Sequence, residues 1–286
     1  MGNLDLVKQL RNETGAGILA CQKALKETND NYEEAVDLLR KQGAAKAVSK
    51  ADRVASEGLC CICKNDKGIA VVKLNCETDF VAKNEKFQNL ISTITEIALK
   101  TESKTADELL QQNINGKTVR EMITEGIATI GENIVIGDVK LHIFNDGENA
   151  TYYVHNKIDN NDNIGRIVSF TISKGGNNDA GSLLLKQINM HIAAMSPIAL
   201  SEDKIPAEII AREKAIYEEQ VAQLNKPADI SAKMVEGKLR KFYEESVLLK
   251  QMFVLDNKNS VANVITNFNK ANGENLELIT FERVAI

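Results

Sequence analysis

The sequence contains no tryptophan, and aromatic residues make up only 5% of its 286 residues. Base-stacking platforms for single-stranded nucleic acid need several exposed rings, and few candidates exist here. The net charge of −5 gives no support to broad binding of a phosphate backbone. We therefore expect no direct contact with nucleic acid.

Long apolar runs are also missing. None reaches the roughly 20 residues that a membrane-spanning helix needs. The first residues, Met1 to Asp5, lack the basic and then apolar pattern of a signal peptide. Hydrophobic and charged fractions of 43% and 26% are typical of globular proteins. We therefore expect a cytoplasmic protein that binds no membrane.

The five cysteines are an odd number, and three of them lie within Cys60–Cys63. This pattern does not resemble a disulfide framework. Neighbouring residues of a strand point to opposite faces, so these thiols cannot close one metal site by themselves. Cys76 is a candidate nucleophile for a thiol enzyme. A carboxylate as near as Asp79 would, however, raise the pKa of that thiol and lower its reactivity.

Signatures of common catalytic and cofactor sites are absent from the sequence. Thr14–Gly17 and Lys174–Gly176 are glycine-rich but lack the spacing of a phosphate-binding loop, and no zinc-protease or dinucleotide-binding motif occurs. The histidines are scattered, and His191 lies on an apolar helix where a core position is expected. We expect neither enzymatic activity nor a cofactor or metal ion bound by the chain itself.

Residues 3–53 predict a compact unit of three helices. Apolar residues recur at helical spacing on either side of turns at Thr14–Gly17 and Asn29–Asn31, and Gly43 is predicted to end the third helix. A bundle this small has a marginal core and usually serves as a docking module. Lys46–Arg53 is predicted to form a polar helical tether.

From Glu57 the hydrophobic period changes to two, which is typical of strands. An order of two strands, helices and a final strand is predicted twice, which indicates a weak internal repeat. The first copy has strands 57–64, 68–76 and 134–144 and helices 84–99, 105–112 and 117–130. The second has strands 151–157, 165–173 and 276–284 and helices 179–195 and 260–271. The predicted fold class is α+β, with a core of two related subdomains.

The second copy is interrupted between Pro206 and about Leu249. Narrow apolar stripes and a turn at Asn225–Pro227 predict an antiparallel helical hairpin. The many Glu and Lys residues on both arms favour a protruding arm over a third core layer. The predicted domains are therefore 1–54, 55–145 and 146–286, with the hairpin inserted at about 200–249. The hairpin is a candidate for self-association or for contact with a partner.

The stretch Thr78–Val81 lies between the strand that ends at Cys76 and the helix that Asn84 is expected to cap. One interpretation is local: Phe80 folds back onto its own helix as a hydrophobic staple, and Asp79 favours the helix N-terminus. The other interpretation is an exposed tip that is inserted into another protein.

The internal repeat helps to choose between these interpretations. When Gly68 is aligned with Gly165, Asn177 stands opposite Phe80, and the second copy has glycine and asparagine around it. If this connection needed a phenylalanine staple, the second copy should carry one as well. The comparison favours the exposed tip.

Two segments carry a specific resemblance. Leu10–Leu25, with the run Arg-Asn-Glu-Thr-Gly-Ala-Gly, and Leu74–Lys83, with Glu-Thr-Asp-Phe-Val, are similar to the signature segments of the bacterial and organellar elongation factor Ts family. The similarity extends along essentially the whole chain, including Met190–Ala194 and Lys233–Gly237. Members of that family are guanine-nucleotide exchange factors for the GTPase elongation factor Tu.

The resemblance implies an N-terminal domain like the ubiquitin-associated (UBA) domain, and a core of two α+β subdomains with a hairpin projecting from the second. It implies elongation factor Tu as the partner, with the stretch Thr78, Asp79, Phe80 and Val81 entering the GTPase domain near Mg²⁺ and the phosphates. The chain would act on Mg²⁺-GDP that the partner holds. Ile18 and Leu19 are candidates for an apolar contact with the GTPase domain, and His155 for contact with another partner domain.

The chain departs from the family pattern at a few places. Leu74 stands where an acidic residue is common, and Ala20 where an acidic or polar residue is frequent. We expect these changes to tune affinity only. The chain ends at Ile286, directly after its last predicted strand. Many members carry a further C-terminal helical module, so we expect a smaller partner interface here.

Two other functions remain open on the sequence alone. A UBA-like protein-binding adaptor without exchange activity would need only the N-terminal helices, residues 3–53. A thiol enzyme would need Cys76 to react readily at neutral pH.

Overall fold

The computed structural model describes residues 3–286. The chain forms two compact units. The first comprises the described part of Met1–Ile143 together with Val154–Val168 and Val284–Ile286, and the second comprises Phe144–Tyr153 and Ser169–Arg283. The domain boundaries 1–54, 55–145 and 146–286 stay a prediction, and residues 1 and 2 lie outside the described residues.

The first unit begins with three helices, α1 (Asn3–Thr14), α2 (Ile18–Glu27) and α3 (Tyr32–Lys50). Asn31 caps α3, since its side-chain oxygen accepts a hydrogen bond from the backbone N–H of Glu34 at 3.3 Å. Small and aliphatic side chains that recur at helical spacing form the shared core. They are Val7, Leu10, Cys21, Ala24, Leu25, Ala35, Val36 and Leu39.

The next elements form a sheet covered by helices. In chain order they are β1 (Glu57–Lys64), β2 (Gly68–Cys76), α4 (Asp79–Ala82), α5 (Glu85–Thr101), α6 (Ala106–Leu110), β3 (Asn113–Ile114), β4 (Lys117–Thr118), α7 (Val119–Ile130) and β5 (Val135–Ile143). β1 and β2 form an antiparallel hairpin, and β5 pairs antiparallel with β2 on its other side. β2 is almost entirely buried, as its β-branched composition predicts.

Local sequence explains where the two main helices of this layer begin. Asn84 caps α5 by accepting from the backbone N–H of Lys86 at 2.9 Å, as predicted. Thr118 and Glu121 form a reciprocal capping box at the start of α7. The apolar face of α5 packs on β1 and β2, with fully buried Phe87, Ile91 and Ile94, and α7 packs against α5.

Gly43 does not end α3, so this prediction was wrong. The helix continues to Lys50 and packs against α7. A Cβ atom added at Gly43 would lie only 3.2 Å from the Cβ of Ala128. The glycine therefore allows two helices to approach closely, and its lack of a side chain is not a stop signal here.

Two long strands, β6 (Glu148–Ile158) and β7 (Asn161–Lys174), contribute residues to both units. In the first unit β7 pairs with β1 at Cys60–Gly165 and Cys61–Ile164. The remaining elements are α8 (Asp179–Met195), α9 (Ala207–Ala222), α10 (Ala228–Ser246), α11 (Val261–Asn272) and β8 (Glu277–Ala285). β8 pairs with β7.

The core of the second unit is built from α8, α11, β8 and the segment between α10 and α11. Its buried apolar residues are Leu184, Leu185, Ile188, Ile192, Leu248, Phe253, Val261, Ile265, Leu276 and Leu278. α9 and α10 pack on each other as the predicted helical hairpin, and Val221 and Val235 are their buried residues. The predicted α+β class, with three N-terminal helices ahead of an α+β core, is confirmed. Within residues 3–286, no helix has both the length and the hydrophobicity to cross a membrane.

Candidate partner-binding site

The stretch from Thr78 to Val81 folds into a single capped turn of helix. Thr78 is the N-cap of α4, and its hydroxyl accepts a hydrogen bond from the backbone N–H of Val81 at 3.4 Å. Val81 and Ala82 point inward and belong to the buried core of the first unit. Burial of Val81 and Ala82 therefore fixes the turn on the core of the first unit.

Phe80 points the other way. Its side chain is 79% exposed, whereas Phe87, only seven positions later, is fully buried. A ring this exposed is not packed as a staple on its own helix. Asp79 does lie in the first turn of the short helix α4, as the same local interpretation expects. A fixed, exposed phenyl ring can enter an apolar pocket of a partner with little loss of side-chain entropy, because it has only two rotatable bonds.

Asp79 lies beside this ring and is paired within its own chain. Lys83 donates a hydrogen bond to the carboxylate, with 2.7 Å between Nζ and Oδ2. This bond holds the pKa of Asp79 below its ordinary value. The same ammonium group lies 5.9 Å from the centre of the Phe80 ring, a cation–π distance. Ring, carboxylate and ammonium thus form one small exposed group.

Glu132, which directly follows the C-cap of α7, holds the base of the turn. Its carboxylate accepts hydrogen bonds from the backbone N–H groups of Glu77 and Thr78, at 3.1 and 3.0 Å, and from the Thr78 hydroxyl at 2.7 Å. Bonds to an ionised acceptor are about twice as strong as neutral ones. Sequence reasoning missed this anchor, because Glu132 is 54 residues away from Thr78 in the chain.

Cys76 precedes the turn but is not suited to nucleophilic chemistry. Its thiol is buried, and its pKa is raised to about 12, first by burial and then by the negative charge of Glu132. Asp79, the carboxylate expected from the sequence to raise this pKa, is not among the groups that raise it. A thiol with so high a pKa has almost no thiolate at neutral pH, which speaks against the thiol-enzyme interpretation.

The other candidate residues lie on separate elements. Ile18 and Leu19 are the first residues of α2 and are 50% and 81% exposed. Gly17, the N-cap residue before them, has no side chain to cover them. His155 lies on β6 and is also exposed. The structure thus presents the tip, the α2 start and the β6 position as three distinct exposed features, and their roles in binding stay predictions.

Metal ligands do not gather at any of these places. Within residues 3–286, no group of three or more His, Cys, Asp and Glu side chains has the arrangement needed to hold a metal ion.

Comparison with known proteins decides the family. A family model described as "Elongation factor TS" matches residues 77–286, a range that starts one residue before Thr78. The chain belongs to the elongation factor Ts family. Elongation factor Ts of Brucella anthropi is 42% identical over 98% of this chain and 91% of the relative. The relative from Sphingopyxis alaskensis is 44% identical over 97% of this chain and 90% of its own length.

These relatives span nearly the whole chain, including the N-terminal helices that the family model does not cover. Elongation factor Ts of Brucella ovis shows the same pattern, with 41% identity over 98% of the chain. Membership in this family identifies the chain as a translation elongation factor with a role in nucleotide exchange.

Proposed function

We propose that the chain binds elongation factor Tu in its GDP form and promotes release of GDP by disturbing the Mg²⁺ and phosphate site. The turn Thr78–Val81 enters the GTPase domain of the partner. Phe80 acts as a wedge that holds an open form, and Asp79 disturbs the groups that keep Mg²⁺ and the β-phosphate in place. GTP then binds to the nucleotide-poor state.

The observation that carries the proposal is the 79% exposure of Phe80 on a turn that is anchored at both ends. Burial of an aromatic side chain at an interface is a frequent source of binding energy. Because the turn is held by Glu132 and by the buried Val81, the ring can be inserted without first ordering a loop.

The proposal also meets a kinetic need. A nucleotide held at nanomolar affinity that associates at roughly 10⁶–10⁷ M⁻¹s⁻¹ leaves at about 10⁻³–10⁻² s⁻¹, which is slow for a factor recycled continuously. Removal of Mg²⁺ takes a large positive charge away from the diphosphate and so weakens its binding. By linkage, GDP weakens binding of the exchange factor by the same factor, so the ternary complex is transient.

The chain needs no cofactor or metal ion of its own for this role and performs no covalent step. It acts by binding one conformational state of the partner more tightly than the other, which shifts the equilibrium toward that state. Ile18 and Leu19 would add an apolar contact with the GTPase domain, and His155 would contact another domain of the partner. The hairpin of α9 and α10 would serve self-association or a further partner contact.

Release of a fluorescent GDP analogue from elongation factor Tu, followed by stopped flow, tests the proposal. Phe80→Ala should slow the stimulated release about 30-fold, the effect of losing a hot spot worth about 2 kcal/mol. Asp79→Asn, which removes the charge but keeps the shape, should slow it about tenfold if the carboxylate acts on the metal site. Both variants should unfold at nearly the same denaturant concentration as the parent.

Leu183→Ala is a matched control, since Leu183 is also apolar and 58% exposed but lies on α8. It should leave GDP release unchanged. Unchanged release in both Phe80→Ala and Asp79→Asn would remove the tip from the mechanism. If residues 1–54 alone bound the partner as tightly as the full chain, the adaptor function would be favoured instead.

A further inference from the structure

The three residues after α7, Gly131 to Asn133, contact two distant parts of the chain at once. Glu132 holds the base of the tip through Glu77 and Thr78. The next residue, Asn133, is buried, and its side-chain amide Nδ2 donates to the carbonyl oxygens of Ala51 and Arg53 at 3.3 and 2.8 Å. These carbonyls belong to the connection between the N-terminal helices and β1.

Glu77 links the same two parts of the chain through its own side chain. Its Oε1 accepts from the backbone N–H of Asn133 at 2.7 Å, and its Oε2 lies 3.5 Å from the guanidinium of Arg53. Lys50, the last residue of α3, donates to the carbonyl oxygen of Gly131. The end of α3, the connection to β1 and the base of the tip are thus joined through one short segment.

We propose that Asn133 is a positioning residue that holds the N-terminal helices in a fixed relation to the tip. The exposed Ile18 and Leu19 and the exposed Phe80 would then reach the same partner as one pre-organised surface. This inference rests on the proposed function, because it needs a partner that receives both surfaces.

The chemistry of the amide suits this task. The Nδ2 group of asparagine has two donor hydrogens, and each is used by one carbonyl of the connection. A fixed relation between two contact surfaces raises binding because the second contact forms at high effective concentration. The close contact of α3 and α7 at Gly43 and Ala128 supports the same placement.

A double-mutant cycle tests whether Asn133 couples the two surfaces. Affinity for nucleotide-free elongation factor Tu is measured by calorimetry for the parent, for Asn133→Ala, Leu19→Ala and Phe80→Ala, and for the two double variants that combine Asn133→Ala with each of the others. Asn133→Ala should weaken binding about tenfold, because the second contact surface no longer binds at high effective concentration. In the Asn133→Ala background, Leu19→Ala should lose most of its effect, whereas Phe80→Ala should keep its effect. Purely additive effects of Asn133→Ala and Leu19→Ala would overturn the inference.

Hydrogen exchange of the free protein gives a readout that needs no partner. The N–H groups of Ala51 and Arg53 donate to the carbonyl oxygens of Val48 and Lys50. In Asn133→Ala these two amides should exchange about tenfold faster, because the connection opens more often once its carbonyls lose the Asn133 bonds, while the amides of α8 stay unchanged. Asn272→Ala, an exposed asparagine on α11, is the control and should change neither region. Unchanged exchange at Ala51 and Arg53 would also overturn the inference. If the proposed function fails, Phe80→Ala leaves binding unaffected, and the exchange experiment still reports on Asn133 separately.

Discussion

The connection from β2 to α5 and the connection from β7 to α8 differ in what they expose. After β2, the turn α4 presents Phe80 and keeps Val81 and Ala82 inside. After β7, the segment Lys174–Asn178 has no aromatic residue and contains Gly175 and Gly176 with positive φ angles of 71° and 66°. Both connections end in an asparagine that caps the following helix.

The second connection lies directly against its own chain. A Cβ atom added at Gly175 would lie 2.6 Å from the carbonyl oxygen of Asn275, and Asn178 donates to the Glu274 side chain at 2.6 Å. The second connection shows that the chain can pass from a strand to a helix with only a tight turn and a capping residue. The exposed ring of the first connection is not required by the topology, as expected for a residue kept for binding.

The largest effect on stability is expected from a substitution that disturbs the second connection, and only a small effect from one at the exposed ring of the first. In Gly181→Ala the new Cβ would lie 2.3 Å from the carbonyl oxygen of Gly176, a backbone atom that cannot move away cheaply. We expect a loss of about 1–3 kcal/mol in the free energy of unfolding, measured by urea denaturation. Phe80→Ala should change the same quantity by no more than about 0.5 kcal/mol.

Gly237→Ala is the control for this experiment, because Gly237 lies inside α10 with nothing within 4 Å of the new Cβ. It should stabilise the chain by up to about 1 kcal/mol. A loss of more than about 1 kcal/mol in Phe80→Ala would mean that the ring supports the fold, and the contrast between the connections would disappear.

A smaller effect is expected at the anchor of the first connection. Glu132→Ala removes the acceptor for three hydrogen bonds from Glu77 and Thr78. Because this site is only partly buried, water replaces some of these bonds, and we expect a loss of about 1 kcal/mol in unfolding free energy. Stimulated GDP release should also slow, since the turn that carries Phe80 is no longer held.

Glu125→Ala is a suitable control on α7, the helix that precedes Glu132, since Glu125 forms a partly exposed ion pair with Lys117. Its effect on stability should stay below about 0.5 kcal/mol. If Glu132→Ala were as mild as this control and kept full exchange activity, Val81 and Ala82 alone would suffice to hold the tip.

Local signals made part of this site predictable. The strand ending at Cys76, the cap at Asn84 and the exposed position of Phe80 followed from short-range pattern and from the internal repeat. The pair of Asp79 and Lys83 is spaced by four residues, so helix geometry could also have suggested it.

Long-range contacts could not be predicted in the same way. Glu132 and Asn133 follow Gly131, which ends α7 with a φ of 95°, and they contact the tip and the connection after α3 across more than 50 positions of the sequence. Gly43 was misread for the same reason. From the sequence alone, a glycine within a helical pattern predicts the end of the helix. The contact with Ala128 of α7, which the structure shows, indicates that Gly43 allows close packing of two helices.

The smallest expected effect concerns the charge beside the ring. Lys83→Ala removes the hydrogen bond that lowers the pKa of Asp79, so that pKa should rise toward 3.8, as followed by carboxyl NMR titration. Since the folded-state pKa is depressed, the stabilisation is present above the unfolded-state pKa and is lost as pH falls through the folded value. Parent and variant should therefore differ slightly in stability at pH 7 and converge in acid.

Lys86→Ala, an exposed lysine at the start of α5, is the control and should leave the pKa of Asp79 unchanged. An unchanged pKa in Lys83→Ala would show that the ion pair does not persist in solution. Asp79 could then contact the partner without first breaking its ion pair with Lys83. In the first connection the turn that carries Phe80 would be fixed, whereas the Asp79 carboxylate would have no lasting partner in its own chain. A raised pKa would instead mean that Asp79 must exchange Lys83 for groups of the partner, which makes that step sensitive to salt.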